Sequence, residues 1–166
     1  MFRNHVKLAM FAVVSIAVLL TANPSLAAEP RPLAPNWQLR DVTGKQVSLA
    51  DFKGKFVILD FWATWCPPCR QEIPGLVDLQ RRYQDRGLVI IGVSLDRQGP
   101  GVVKTFIHQL GMNYPVVMGD EKIVSDYGGI EAIPTTFIID RQGKVVTVHQ
   151  GFTDNATFEA EIRPLL

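Results

Sequence analysis

The sequence predicts an α/β fold: a central mixed sheet flanked by helices, with an N-terminal β-hairpin and a central βα insertion. Three observations predict it. Phe56–Trp62 (FVILDFW) and residues 88–95 (LVIIGVSL) are continuous apolar runs, broken mainly by Asp60. Such runs suit strands buried on both faces. The stretch between them, from about Pro67 to Arg86, has helical periodicity, which makes a βαβ unit with parallel strands. A final pair of strand-like runs folds back across a tight turn and makes the sheet mixed.

Each element has its own signal. Residues 29–36 hold three prolines and read as a surface lead-in. Residues 37–39 and 46–49 flank Asp41-Val42-Thr43-Gly44-Lys45, a hairpin signal. The first helix has Ile73, Leu76, Val77 and Tyr83 on its apolar side. Arg81, Arg82, Asp85 and Arg86 face water, and Gly87 stops it. Val102, Val103, Phe106, Ile107 and Leu110 recur with helical spacing up to Gly111. Residues 114–118 suit a short strand, and Asp120 can cap a short helix that runs to Tyr127 before Gly128-Gly129. Thr135–Ile139 is a strand, 140–143 (DRQG) a turn, and 144–149 the paired strand. Thr153 is the expected cap of a last helix, with Phe158, Ile162 and Leu165 inward. No internal repeat, low-complexity tract or second core is visible.

Composition narrows the function classes. Of 166 residues, 47% are hydrophobic and 20% charged, as in an ordinary globular chain. A net charge of +1 offers no basic surplus to neutralise a nucleic-acid backbone. Two cysteines do not make a disulfide scaffold. The first residues differ from the rest. Arg3 and Lys7 precede a run of 13 residues, 8–20, in which only Ser15 is polar. Pro24 and then Ser25-Leu26-Ala27 follow, as in a secretory signal with a small-x-small cleavage site. The expected division is a cleaved signal over 1–27, a lead-in over 28–35 and one domain over 36–166. An uncleaved membrane anchor is the alternative, although the apolar run falls short of the roughly 20 residues a span needs. Export implies a periplasmic or other oxidising setting, where a close cysteine pair tends to be a disulfide.

The chemistry sits at Cys66-Pro67-Pro68-Cys69, two cysteines three residues apart that open a helix directly after a buried strand. As N-cap, Cys66 faces the positive end of the helix dipole. Cysteines so placed have pKa values of about 3.5 to 7.5 and react as thiolates. Pro67 costs the helix nothing at its first position. Pro68 removes one N–H that could have reached the sulfur and leaves that of Cys69. Cys69, one turn inside, should be the more buried thiol, resolving the mixed disulfide that Cys66 forms with a partner. A purely structural disulfide is a weak alternative, because so short a loop removes little chain entropy. A zinc site would need two further ligands. Only His108 and His149 remain after processing, and both read as surface or edge residues. No metal and no cofactor is expected.

Phe61-Trp62-Ala63-Thr64-Trp65-Cys66-Pro67-Pro68-Cys69, with Ile133-Pro134-Thr135 downstream, resembles the thioredoxin superfamily. The N-terminal hairpin, the export signal and the extra segment over 111–127 resemble its TlpA/ResA-like thiol–disulfide oxidoreductases. The resemblance implies a thioredoxin fold, Cys66 as nucleophile, Cys69 as resolving thiol and a cis peptide at Ile133-Pro134 facing them. A plain strand-entry proline is the other reading of Pro134. Pro74 inside the first helix matches the superfamily's kinked position. Trp65, Pro67, Pro68, Ile133 and Pro134 are the expected partner-binding surface, and Trp62 is expected in the core.

Two acids stand near the sulfurs. Asp60 lies six residues before Cys66 in an apolar run, where an unpaired charge is costly. Thioredoxins carry an Asp there, whereas many TlpA/ResA-like proteins carry Asn, so this sequence departs from them. Glu72 follows Cys69 by three residues, on the same helical face. Either acid can move the Cys69 proton. The structural alternatives are a hydrogen-bonded core acid for Asp60 and a favourable early-helix acid for Glu72. Lys53, Lys55, Arg70 and Glu131 read as solvated charges.

The expected function is exchange of electrons with cysteine pairs of exported proteins. The resemblance implies a reductant, fed by a membrane or periplasmic thiol donor and possible in cytochrome c maturation. A monomer is expected, with no nucleic-acid partner. Three rivals stay open: an oxidant of folding proteins, a peroxidase of the same fold, and a non-enzymatic metal or chaperone-like binding module. The peroxidase pattern wants Pro and Thr seven and three residues before the cysteine, where this chain has Leu59 and Ala63.

Overall fold

The computed structural model describes residues 31–166. The signal-like segment, 1–27, and the first lead-in residues lie outside it.

A five-stranded mixed sheet organises the domain. Its strands are β3 (Phe56–Trp62), β4 (Leu88–Ser94), β5 (Val116–Met118), β6 (Thr135–Ile139) and β7 (Val145–Gln150). Their order across the sheet is β5-β4-β3-β6-β7. Strand β3 is parallel to β4 and antiparallel to β6. A separate hairpin, β1 (Gln38–Arg40) and β2 (Gln46–Ser48), precedes the sheet. Its turn is closed by Asp41 Oδ1, which accepts from the N–H groups of Thr43 and Lys45. The lead-in is tied down at the far edge, where Val145 N–H donates to Pro32 O and Ala34 N–H to Gly143 O.

Every residue of β3 is buried, as its continuous apolar pattern requires. Alternation along it sorts two cores. Phe56, Ile58 and Trp62 face α1 (Pro67–Tyr83), α2 (Pro100–Leu110) and α4 (Asn155–Ile162), against Ile73, Leu76, Phe106 and Phe158. Val57, Leu59 and Phe61 face the hairpin and α3 (Glu121–Asp126), against Leu39, Ile123, Tyr127 and Phe137. Asp60 therefore points to the α1 side of the sheet. Gly92, its partner on β4, leaves room for the Trp62 indole. A Cβ built there would lie 2.8 Å from Trp62 Nε1.

The helices begin and end close to their sequence signals. A single 3-10 turn carries α1 from Tyr83 to Arg86 before Gly87. Asp120 caps α3, its side chain accepting from Ile123 N–H at 2.8 Å. Helix α4 corrects one expectation. Its N-cap is Asp154, which accepts from Thr157 N–H at 2.9 Å. Thr153 stands one position before the cap, and its N–H donates to Glu72 Oε2 at 2.8 Å. Asp154→Ala should therefore lower stability, because the start of α4 loses its side-chain acceptor. Thr153→Ala, which keeps that N–H, should leave it near wild type. Urea denaturation of the two variants checks the assignment.

Candidate active site

The β3–α1 junction presents the sulfurs. Cys66 is the N-cap of α1 in extended backbone, and Pro67 and Pro68 fill the first two helical positions. Its Sγ accepts from Cys69 N–H at 3.2 Å, the donor left once Pro68 has none. The two cysteines form a disulfide with an S–S distance of 2.08 Å, the oxidised form of the pair. Cys66 is 3% exposed and Cys69 1%. The expected contrast in burial is thus small in the oxidised form, where each sulfur covers the other.

The predicted neighbours divide cleanly. The carbonyl oxygen of Ile133 lies 3.5 Å from Cys66 Sγ, and the Ile133–Pro134 bond is cis. Pro134 is buried, and the Thr135 hydroxyl ties the same turn to Ala132 O at 2.7 Å. Trp65 is 64% exposed beside Cys66. Trp62 is fully buried against Phe106. A cleft of about 1000 Å³ opens at Trp65, lined also by Leu95, Asp96, Arg97, Val124 and Ile130. Lys53, Lys55, Arg70 and Glu131 are exposed, as read. His108 is exposed, while His149 on β7 is half-buried and lies 2.9 Å from Glu161 Oε2.

Asp60 and Glu72 converge on a residue that sequence reasoning missed. Thr136 Oγ1 is 3.3 Å from Asp60 Oδ1 and 3.4 Å from Glu72 Oε1. A hydroxyl has one proton to give, so it can donate to only one carboxylate at a time. The other carboxyl fits the pattern when it is protonated and donates to the Thr136 oxygen. Burial, then the charge of Glu72, holds the Asp60 carboxyl well above the usual carboxylate range, opposed by Thr136. Burial likewise pushes Glu72 up to about 7, opposed by Thr153 N–H, Thr136 and the His149 charge. Burial thus favours the protonated form of both acids, and Glu72 lies three residues after Cys69 on α1. Tyr114 OH is buried in the same core and has no hydrogen-bond partner among the described residues.

Comparison with known proteins agrees with this geometry. The AhpC/TSA family matches residues 31–148. The thiol–disulfide oxidoreductase ResA of Bacillus anthracis is 42% identical over 114 residues, 68% of this chain and 65% of that protein. The chain thus spans just under two thirds of that relative's length. A ResA of Halalkalibacterium halodurans is 35% identical over 155 residues, 90% of this chain and 87% of that protein. A solved thiol:disulfide interchange protein, a thioredoxin family protein from Chlorobium tepidum TLS, superposes with a TM-score of 0.75 at 36% identity. That match covers 81% of this chain and 96% of the other. With its sulfur pair at a helix N-terminus against a cis-proline turn, the chain belongs to the AhpC/TSA family, among the ResA-like thiol–disulfide oxidoreductases of the thioredoxin fold.

Proposed function

We propose that the protein is an exported reductant of protein disulfides, working through the Cys66–Cys69 couple. The observation that carries this reading is the disulfide at the N-terminus of α1, flanked by exposed Trp65 and the Ile133 carbonyl. Cys66 attacks a partner disulfide, the partner's leaving sulfur takes a proton, and Cys69 then resolves the mixed disulfide. Asp60 or Glu72 accepts the Cys69 proton as it attacks. The partner chain lies against Trp65, Pro67, Pro68, Ile133 and Pro134.

Two features favour reduction over oxidation. Strong oxidants of this chemistry stabilise their reduced form. Here Cys66 Sγ has a single backbone donor, and both intervening residues are prolines without N–H groups. Glu72, buried on α1 three residues after Cys69, opposes a second negative charge there. The peroxidase alternative finds neither its proline, at Leu59, nor its threonine hydroxyl, at Ala63, and both residues are buried and apolar. The resemblance extends the proposal to haem-site cysteines of apocytochrome c as substrates and a membrane or periplasmic thiol as electron donor.

The test is insulin reduction by the purified, pre-reduced protein. Rapid precipitation of the insulin B chain supports the reading, and hydrogen peroxide consumption without insulin reduction contradicts it. The exported setting rests on residues 1–27, with the lead-in over 28–35 and the redox domain over 36–166. No helix among the described residues is long and apolar enough to cross a membrane. The exported protein should begin at Ala28, and intact mass spectrometry checks this; a full-length mass in the membrane fraction would favour an anchor.

A further inference from the structure

A third buried carboxylate stands on the other side of Cys66. Asp96 directly follows β4 and is 7% exposed. Its Oδ2 accepts from the Thr64 backbone N–H at 2.9 Å and from the Ser94 hydroxyl at 2.9 Å. Its Oδ1 accepts from the Thr64 hydroxyl at 2.5 Å. Its own N–H returns to Ser94 Oγ at 3.2 Å. Thr64 is thus held at both of its donors by one side chain, 32 residues away in sequence.

Thr64 lies in the turn between β3 and α1. Cys66 is held separately, by Ala63 O on its N–H and by Cys69 N–H on its sulfur. Trp65 lies between these two fixed residues, with its ring 64% exposed and lining the same cleft as Asp96. Burying a carboxylate is costly unless it is fully paired. Three short bonds from two residues supply that pairing and leave Asp96 no slack.

We propose, resting on the reading of the protein as a protein-disulfide oxidoreductase, that Asp96 is a positioning residue: through Thr64 it fixes Trp65 as the platform on which a partner chain docks beside Cys66. Asp96 does not touch the reacting sulfurs. It acts on recognition of a polypeptide disulfide and leaves thiol chemistry to the groups that hold Cys66.

The test compares insulin with a small disulfide, 5,5′-dithiobis(2-nitrobenzoate), as substrates of the purified protein. Asp96→Ala should lower kcat/KM for insulin about tenfold, through KM, with the small-disulfide rate within about twofold of wild type. Thr64→Ser keeps both donors and should match wild type. Thr64→Val loses one and should cost about threefold with insulin. Combined with Trp65→Ala, Asp96→Ala should add no further loss. Parallel losses on both substrates, unchanged insulin kinetics, or additive losses would overturn the proposal. If Asp96→Ala does not fold, the Thr64 variants decide, and a Thr64→Val equal to wild type overturns it. If the wild type itself fails to reduce insulin, the functional reading fails, and backbone mobility still tests the positioning. The NMR order parameter of Trp65 should fall from about 0.85 to below about 0.6 when Thr64→Val loosens the turn. An unchanged value overturns the assignment.

Discussion

Cys69→Ser should turn the protein into a trap. Cys66 can still attack a partner disulfide, but no second sulfur stands behind it to release the product. Uncatalysed disulfide rearrangement takes minutes to hours, so the mixed disulfide should persist on that scale. Acid-quenched cells run on non-reducing gels should show discrete high-mass species that collapse with dithiothreitol. Cys66→Ser should give none and should abolish exchange, because Cys69 lies one helical turn inside, behind the N-cap position. The order of attack follows from position: Cys66 is at the helix N-terminus next to Trp65, and Cys69 is beneath it. Equal trapping by the two variants would reverse or dissolve these roles.

Glu72→Gln should change stability most where the wild-type carboxyl is charged. Folding raises its pKa from 4.5 to about 7, with burial the main cause. Below about pH 4.5 the carboxyl is protonated in both states, and the wild type carries no ionisation cost. Between 4.5 and 7 the unfolded chain releases the proton first, so folded stability is lost as pH rises. Above 7 both states are ionised and the loss levels off, on the order of 3 kcal/mol. Glutamine cannot ionise, yet its Oε1 can still accept from Thr153 N–H. The stability difference between variant and wild type should therefore open in the variant's favour from pH 4.5 to 7 and then stay constant. Urea denaturation at a series of pH values measures it. The same substitution should slow resolution by Cys69 more than attack by Cys66, as seen in stopped-flow reduction of a model disulfide. A flat stability difference across that range, with unchanged kinetics, would leave Glu72 a helix-start acid and nothing more.

What the sequence revealed follows from how each feature is encoded. Strands β3 and β4 were legible because burial on both faces leaves continuous apolar runs. Asp60 announced itself as the charge inside one of them, and the sulfur pair by its spacing. Thr136 gave no such signal. Threonine is an ordinary strand residue, and its place beside Asp60 depends on the β3–β6 register, which no local pattern encodes. Asp96 was hidden for the same reason, since its partner Thr64 is reached only after the chain has crossed through α1. The α4 cap shows a third limit. Thr153 and Asp154 are both competent caps by composition, and which of them directly precedes the first helical residue is set by where the helix starts, a boundary that local composition does not fix.

The measurement closest to the central claim is a thiol–disulfide redox titration of the purified protein, read by alkylation of Cys66 and Cys69. A single two-electron transition is expected, with a midpoint near the about −270 mV of thioredoxin and far from the about −120 mV of a strong oxidant. A midpoint at the oxidising end, or two cysteines that titrate independently, would contradict the account of this pair as a reducing couple.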